Sequence, residues 1–162
     1  MSIVEQDTGL TAGQRAEIEA MAGHYGSRRA ACIEALRYVQ KQYRWVSDRH
    51  LAEVADMLGM ARADLDGVAT YFNLIFRRPA GEHVIFLCDS ISCWVMGRDA
   101  AEAHPCKRLG IRPGETTKDG AYTLLPIVCI GHCDHAPAML VDEELHGDLD
   151  AETIDRILGI TT

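Results

Sequence analysis

Apolar residues in the first half of the chain recur at helical spacing. Thr11 and Gln14 form a capping box, which predicts a helix that runs towards Tyr25. Gly26-Ser27 interrupts that pattern, and a second helix is predicted over residues 28–43. One face of the second helix carries Cys32, Leu36, Val39 and Tyr43.

Two shorter helices are predicted to follow. Ser47 is a suitable N-cap for a third helix, and Gly59 is a suitable C-terminal stop. Leu65, Val68 and Phe72 then indicate a fourth short helix. Four amphipathic segments in succession predict a small helical bundle whose apolar stripes form a common core.

The hydrophobic period changes after the linker Arg77-Arg78-Pro79-Ala80-Gly81. Residues 83–88 (HVIFLC) form a compact apolar run that is typical of a buried strand. Residues 122–129 predict a second strand, in which Pro126 favours an edge position or a bulge. Residues 138–141 predict a third, short strand.

Helical segments alternate with these strands. Residues 94–109 predict a helix, and Asp150 is a suitable cap for a last helix. The order strand, helix, strand, strand, helix is that of a two-layer α/β domain. The sequence therefore predicts an α/β protein, with a helical bundle over residues 1–80 and a two-layer domain over residues 81–162.

Composition places the chain among globular proteins. It has 162 residues, of which 48% are apolar and 25% charged. No apolar run reaches the roughly 18–20 residues that span a bilayer, so direct membrane insertion is not expected. The acidic start, residues 1–7, lacks the features of a secretory signal, which predicts a cytoplasmic protein. In that compartment clustered cysteines are metal ligands more often than disulfides.

Negative charge is concentrated in the second half. Residues 1–80 contain ten Lys or Arg and ten Asp or Glu, whereas residues 81–162 contain six and fourteen. The whole formal charge of −8 therefore lies in the second half. Because such a field repels phosphate backbones, a nucleic-acid partner is not expected.

Four cysteines carry the candidate chemistry. Cys88 and Cys93 have the spacing C-x4-C, and Cys129 and Cys133 have the spacing C-x3-C. Each pair follows a predicted strand, and Gly131 permits a left-handed turn between the second two. Four thiolates suit an iron–sulfur cluster or structural zinc. The wide loops favour the cluster over zinc, which prefers C-x2-C, and leave a zinc-stabilised interaction module and redox-active or structural thiols as alternatives.

No other motif indicates catalysis. Cys32 lies on an apolar helix face and Cys106 has no cysteine neighbour, so neither is a candidate ligand. The chain lacks G-x-G-x-x-G after a strand and lacks G-x-x-x-x-G-K-[ST], which argues against a nucleotide site. A metal centre with four cysteine ligands has no open position for substrate, so electron transfer is the expected task.

Five segments resemble a known family. They are ACIEALRYVQK (31–41), GVATYFNLIF (67–76), CDSISC (88–93), TKDGAYTLLP (117–126) and CIGHCDHAPAMLVD (129–142). With them the chain resembles the thioredoxin-like [2Fe–2S] subunit of NADH-quinone oxidoreductase, the E-subunit family of complex I. The resemblance covers roughly residues 10–160 and favours iron–sulfur over zinc.

The resemblance implies a function and a set of ligands. One [2Fe–2S] cluster is expected on Cys88, Cys93, Cys129 and Cys133. The fold is expected to be a helical bundle followed by a thioredoxin-like domain. The cluster would accept one electron from the FMN of a partner subunit that binds NADH.

The same resemblance implies the setting of the chain. Its partners would be the flavin subunit and further iron–sulfur subunits, held at the inner membrane through the complex. Related subunits of NAD-linked formate dehydrogenases and bidirectional hydrogenases share the cysteine pattern and give an alternative function. One departure concerns His132, because the family has a small or amide residue before the fourth cysteine. Asp89 and Asp134, each beside a ligand, predict a lowered reduction potential.

Overall fold

The computed structural model describes residues 8–159, so the acidic start considered above lies outside the described residues. These residues form two compact units that divide between Pro79 and Ala80. No helix within the described range is both long enough and apolar enough to cross a membrane.

The first unit is helical. Its helices are α1 (Ala12–Gly23), α2 (Cys32–Tyr43), α3 (Asp48–Leu58) and α4 (Arg62–Tyr71). A short 3-10 helix, Arg28–Ala31, precedes α2, so the predicted second helix begins with a tighter turn. The capping box at Thr11 and Gln14 is confirmed, and Ser47 accepts a hydrogen bond from the backbone N–H of His50 as predicted. The core between the helices includes Ile18, Leu36, Val39, Val54 and Leu65.

The second unit is a sheet with helices. Its elements are β1 (His83–Cys88), α5 (Ile91–Val95), α6 (Arg98–Leu109), β2 (Tyr122–Ile127), β3 (Met139–Val141), β4 (Glu144–His146) and α7 (Ala151–Ile157). The strand order is β2-β1-β3-β4, in which β1 pairs parallel with β2 and antiparallel with β3. Pro126 lies on β2, an edge strand, as its missing N–H required. The predicted α/β class is confirmed.

Three elements differ from the prediction. The single helix expected over residues 94–109 is two helices, because Gly97 adopts a left-handed φ of 99° between α5 and α6. The strand β4 was not predicted, and β2 ends at Ile127, two residues before Cys129. The divided helix and the end of β2 bear on the cysteine loops, since Cys93 lies within α5 and Cys129 lies beyond β2.

Candidate metal centre

The two cysteine pairs lie at one end of the sheet. Cys88 is the last residue of β1 and is in register with Ile127, the last residue of β2. The backbone N–H of Asp89 donates to the carbonyl of Ile127 over 2.7 Å. Because parallel strands end at the same edge, this register brings the loop that carries Cys93 beside the loop that carries Cys129 and Cys133.

The four thiols form a connected series. Cys93 interacts with Cys88, and Cys88 interacts with Cys129. The Sγ atoms of Cys129 and Cys133 are 3.5 Å apart. Within residues 8–159, no three Cys, His, Asp or Glu side chains surround one point as the ligands of a single metal ion would. The sequence-predicted cysteines are thus brought together as neighbouring pairs.

The two pairs differ in exposure. Cys88 and Cys93 are buried, with 1% and 2% of their surface exposed, and pack with Ala136 and Ala138. Cys129 and Cys133 are exposed. A group held by all four sulfurs would therefore be enclosed by protein on the side of β1 and open on the other side.

The environment shifts the pKa values of three thiols in different directions. Burial, assisted by the hydrogen bond with Cys88, raises the pKa of Cys93 to about 11. The backbone N–H of Gly131 lowers the pKa of Cys129, and the hydrogen bond with Cys129 raises the pKa of Cys133. Thiolates are the ligand form, so metal binding must release the protons that these thiols hold.

Backbone geometry supports the exposed pair. Gly131 has a φ of 84°, which confirms the left-handed turn predicted from C-x-G-x-C. In this turn its N–H donates to the Sγ of Cys129, with 3.4 Å between the nitrogen and the sulfur. Such N–H groups stabilise anionic sulfur. Cys133 begins a 3-10 helix, Cys133–His135, and its thiol also interacts with Ser92 from the other loop.

Histidines flank the exposed pair. The rings of His132 and His135 stack with centroids 4.7 Å apart, and His135 Nδ1 lies 2.7 Å from a carboxylate oxygen of Asp148. That interaction with Asp148 raises the pKa of His135. Asp134 is 77% exposed in its side chain, so solvent screens its charge.

Sequence reasoning missed two residues at this site. A Cβ on Gly147 would lie 2.5 Å from His135 Cβ and 2.7 Å from its carbonyl oxygen, so this glycine permits the close approach of the loop after β4. Arg98, the first residue of α6, forms an ion pair with Asp89. Neither stands in a recognisable motif, although Arg98 is the only Lys or Arg within nine residues of any of the four cysteines.

Cys32 and Cys106 lie elsewhere. Cys32 packs against the core of the helical unit, and Cys106 packs against the core beneath the sheet. Cys32 thus has the packing role predicted for it, and both are free thiols in the described structure.

The donor set suits a [2Fe–2S] cluster. Four thiols in neighbouring pairs, on loops that supply backbone N–H groups, match the four-cysteine ligation of such clusters. The cradle is preformed on two strand ends, which hold the loops through backbone hydrogen bonds from Cys88 to Ala138 and from Asp89 to Ile127.

Comparisons with known proteins agree with this chemistry. The family described as thioredoxin-like [2Fe-2S] ferredoxin matches residues 18–161. The E subunit of NADH-quinone oxidoreductase from Escherichia coli (strain K12) is 47% identical over 149 residues, which cover 92% of this chain and 90% of the relative. The corresponding E subunit from Pseudomonas aeruginosa is 43% identical with the same coverage.

Solved structures share the fold. The NAD+-reducing [NiFe]-hydrogenase in the H2-reduced state matches with a TM-score of 0.70 and 24% identity over 80% of this chain. Its air-oxidized state matches with a TM-score of 0.65 and 25% identity. The match covers 22% of the hydrogenase chain, and at this identity it shows the fold alone.

Proposed function

Because this chain belongs to the thioredoxin-like [2Fe–2S] ferredoxin family, we propose that it is the electron-transfer subunit of NADH-quinone oxidoreductase, complex I. Its cofactor is one [2Fe–2S] cluster. The proposed ligands are Cys88, Cys93, Cys129 and Cys133. The observation that carries the proposal is the connected series of four thiols at the carboxyl ends of β1 and β2.

The chain holds the cluster, and its partner performs the chemistry on NADH. When bound, a [2Fe–2S] cluster takes up and returns one electron, and the donor here is the FMN of the partner. The cysteine thiolates bind the irons, and the buried pair shields one side from water. Catalysis by this chain alone is not expected.

Identity favours complex I over the related complexes. The E-subunit relatives are 43–47% identical over nearly the whole chain, against 24–25% for the hydrogenase chain. The hydrogenase likeness supports the fold and leaves the related hydrogenase role as the second candidate. Identification of the subunits that co-purify with the native chain separates the two.

An exposed apolar patch on the cluster-bearing loops is proposed to contact the flavin subunit. We define the rim patch as Ile91, Trp94, Val95, Met96 and Val128, all of which are exposed. The first four belong to α5 or its C-terminal cap, the helix that carries Cys93, and Val128 directly precedes Cys129. Apolar side chains grouped in this way mark protein interfaces, and an electron donor must approach the cluster closely.

The ligand assignment is tested by substitution. Replacing Cys88, Cys93, Cys129 or Cys133 with Ala should abolish the visible absorbance and the bound iron of the purified chain. Cys32→Ser and Cys106→Ser are matched controls that should keep both. Two irons per chain retained after Cys129→Ala would contradict the assignment.

The rim patch is tested by charge introduction. Val95, which is 68% exposed, can be replaced by Asp with little effect on the isolated chain, yet Val95→Asp should reduce co-purification with the flavin subunit several-fold. Leu145→Asp, at an exposed apolar residue on β4, is the matched control and should leave co-purification unchanged. Equal loss from both variants would argue against the patch.

Partner dependence is tested by turnover. The isolated chain should not oxidise NADH, and activity with an artificial electron acceptor should require the flavin subunit. The proposal places the chain on the cytoplasmic side of the inner membrane through the complex. Steady NADH oxidation by the flavin-free chain would contradict this division of roles.

A further inference from the structure

Arg98 is a cation held at the base of the first cysteine loop. It is the first residue of α6, and only 17% of its side chain is exposed. It follows Gly97, whose left-handed φ turns the chain between α5 and α6. The guanidinium therefore lies against protein and is fixed in place, unlike an arginine on a solvated helix face.

Three carboxylates hold this guanidinium. Glu102 lies 2.8 Å from one terminal nitrogen, and Asp89 lies 3.3 Å from the same nitrogen. Asp99 lies 3.3 Å from the other terminal nitrogen. The Nε–H is buried and has no acceptor among the described residues. Burying an arginine donor without a partner is unfavourable by roughly 1–3 kcal/mol, which offsets part of the stabilisation that the ion pairs give.

Asp89 connects this arginine to both cysteine loops. It directly follows Cys88, and its backbone N–H donates to Ile127 at the end of β2. Its carboxylate pairs with Arg98, which follows α5 in the chain, so the ion pair closes the segment from Asp89 to Arg98. Cys93 lies inside that closed segment. The cation is thus tied to the residue that joins the two loops.

The charge of Arg98 opposes the field of its surroundings. Residues 81–162 carry a net −8, and no other Lys or Arg lies within nine residues of a proposed ligand along the sequence. Reduction adds one negative charge to a cluster that four thiolates already make negative. A fixed cation nearby stabilises the reduced state, and its effect is larger where water is partly excluded.

We propose that Arg98 is a positioning residue that, through Asp89, fixes the first cysteine loop and raises the midpoint potential of the [2Fe–2S] cluster. The inference rests on the proposed function for the presence of the cluster. It goes beyond that function by assigning a determinant of the potential to a residue outside the cysteine motif. It also refines the expectation for Asp89, whose negative charge lowers the potential less than an unpaired carboxylate would, because Arg98 partly offsets it.

The test is an EPR-monitored redox titration of the purified full-length chain at fixed pH and ionic strength. Arg98→Gln should lower the midpoint potential, whereas Arg98→Lys, which keeps the charge, should stay near the parent value. Asp89→Asn should raise the potential, and the double variant should lie between the two single variants. Arg112→Gln removes the same charge at an exposed position of the same unit and should have no effect.

The outcomes separate the alternatives. A purely structural arginine would lower cluster retention or melting temperature in Arg98→Gln without moving the potential, and this result overturns the inference. An equal shift of the potential in Arg112→Gln would also overturn it, because the net charge of the chain would then explain the shift without any special position for Arg98. Where Arg98→Gln retains no cluster, an unchanged potential in Asp89→Asn overturns it. A parent chain that binds no cluster contradicts the proposed function. A parent chain that binds the cluster, but whose midpoint potential does not change when Arg98 is substituted, contradicts this inference alone.

Discussion

Gly131 stands between the two exposed ligands with a φ of 84°, in a region that side chains other than glycine occupy at a cost. The C-x-G-x-C spacing was enough to predict this turn, because a loop of three residues between two ligands must reverse direction. The hydrogen bond from its N–H to Cys129 adds a second constraint that the spacing did not reveal.

Gly131→Ala should therefore weaken the second cysteine loop. The left-handed conformation of alanine should lower the free energy of unfolding by about 1–2 kcal/mol and reduce the cluster retained after purification. Thermal melts and iron analysis measure the two effects. Gly13→Ala, in α1 with open space around a Cβ, is the control and should be neutral or slightly stabilising. Normal cluster content in Gly131→Ala would show that the loop tolerates another turn.

Gly147 illustrates what the sequence does not reveal at this scale. Nothing in Leu145-His146-Gly147-Asp148 indicates that the glycine faces His132 and His135, because that approach depends on how β4 returns to the sheet. Gly147→Ala would bring a methyl group against the backbone oxygen of His135, which cannot move without shifting Cys133.

Gly147→Ala should disturb the exposed ligands Cys129 and Cys133, although Gly147 lies outside the loop that carries them. We expect Gly147→Ala to lower stability by roughly 1–3 kcal/mol and to reduce cluster retention. Gly26→Ala, with nothing near its Cβ, is the control. The visible absorbance and the melting temperature are measured for both variants. If Gly147→Ala matches the parent in both, the loop after β4 can shift to accommodate the methyl group.

At the scale of elements, hydrophobic periodicity predicted most helices and strands. It failed where backbone conformation or tertiary contacts determine where an element begins or ends. The helix expected over residues 94–109 divides because Gly97 adopts a left-handed φ, a conformation that a glycine within a helical pattern does not reveal. The strand β4 has three residues and one exposed apolar side chain, so its alternation is too short to detect. Arg98 was missed for a related reason, since a charge near a helix start usually lies in solvent.

The contact between α6 and α7 gives a pH-dependent prediction. His104 Nε2 lies 2.8 Å from a carboxylate oxygen of Asp155, and Arg108 lies 3.2 Å from the same atom. The hydrogen bond with His104, assisted by Arg108, lowers the pKa of Asp155 below its ordinary value of 3.8. A lowered folded pKa contributes stability above the unfolded pKa, and that contribution is lost as the pH falls through the folded value.

Asp155→Asn should therefore be less stable than the parent at pH 6, and the difference should shrink below pH 4. Denaturant titrations of both chains between pH 6 and pH 3 measure it. Asp56→Asn removes a carboxylate whose partner, Arg62, is 3.6 Å away and exposed, so this control should change little at any pH. A constant difference between parent and Asp155→Asn across the range would contradict the assignment.

At the scale of the whole molecule, the two units have separate cores and separate charge. Ile18, Leu36 and Leu65 belong to one core, and Ile85 and Met139 belong to the other. The first eighty residues carry no net charge, whereas the rest carry −8. The structural division between Pro79 and Ala80 falls within the linker of residues 77–81, where the hydrophobic period changes. The rim patch was not predictable, because in the sequence the exposed apolar residues of α5 resemble core residues.

The separate cores predict that the second unit folds alone. A fragment of residues 80–162 keeps the four cysteines, the sheet and the buried Ala80, whose successor Gly81 donates to the Thr123 hydroxyl over 2.7 Å. We expect this fragment to retain its [2Fe–2S] absorbance and EPR signal. Loss of the cluster from a folded fragment would show that the helical unit contributes to holding it.

The same fragment should lose stable association with the flavin subunit. The rim patch offers five apolar side chains, whereas a specific interface uses roughly 20–30 residues on each partner, so further contacts are needed. The charge-neutral helical unit can supply them with less desolvation of charged groups than the acidic unit. In a pull-down with the tagged flavin subunit, the fragment should wash off while the full chain stays bound. Adding Val95→Asp to the fragment should abolish residual binding, and undiminished capture of the unmodified fragment would refute a docking role for residues 1–80.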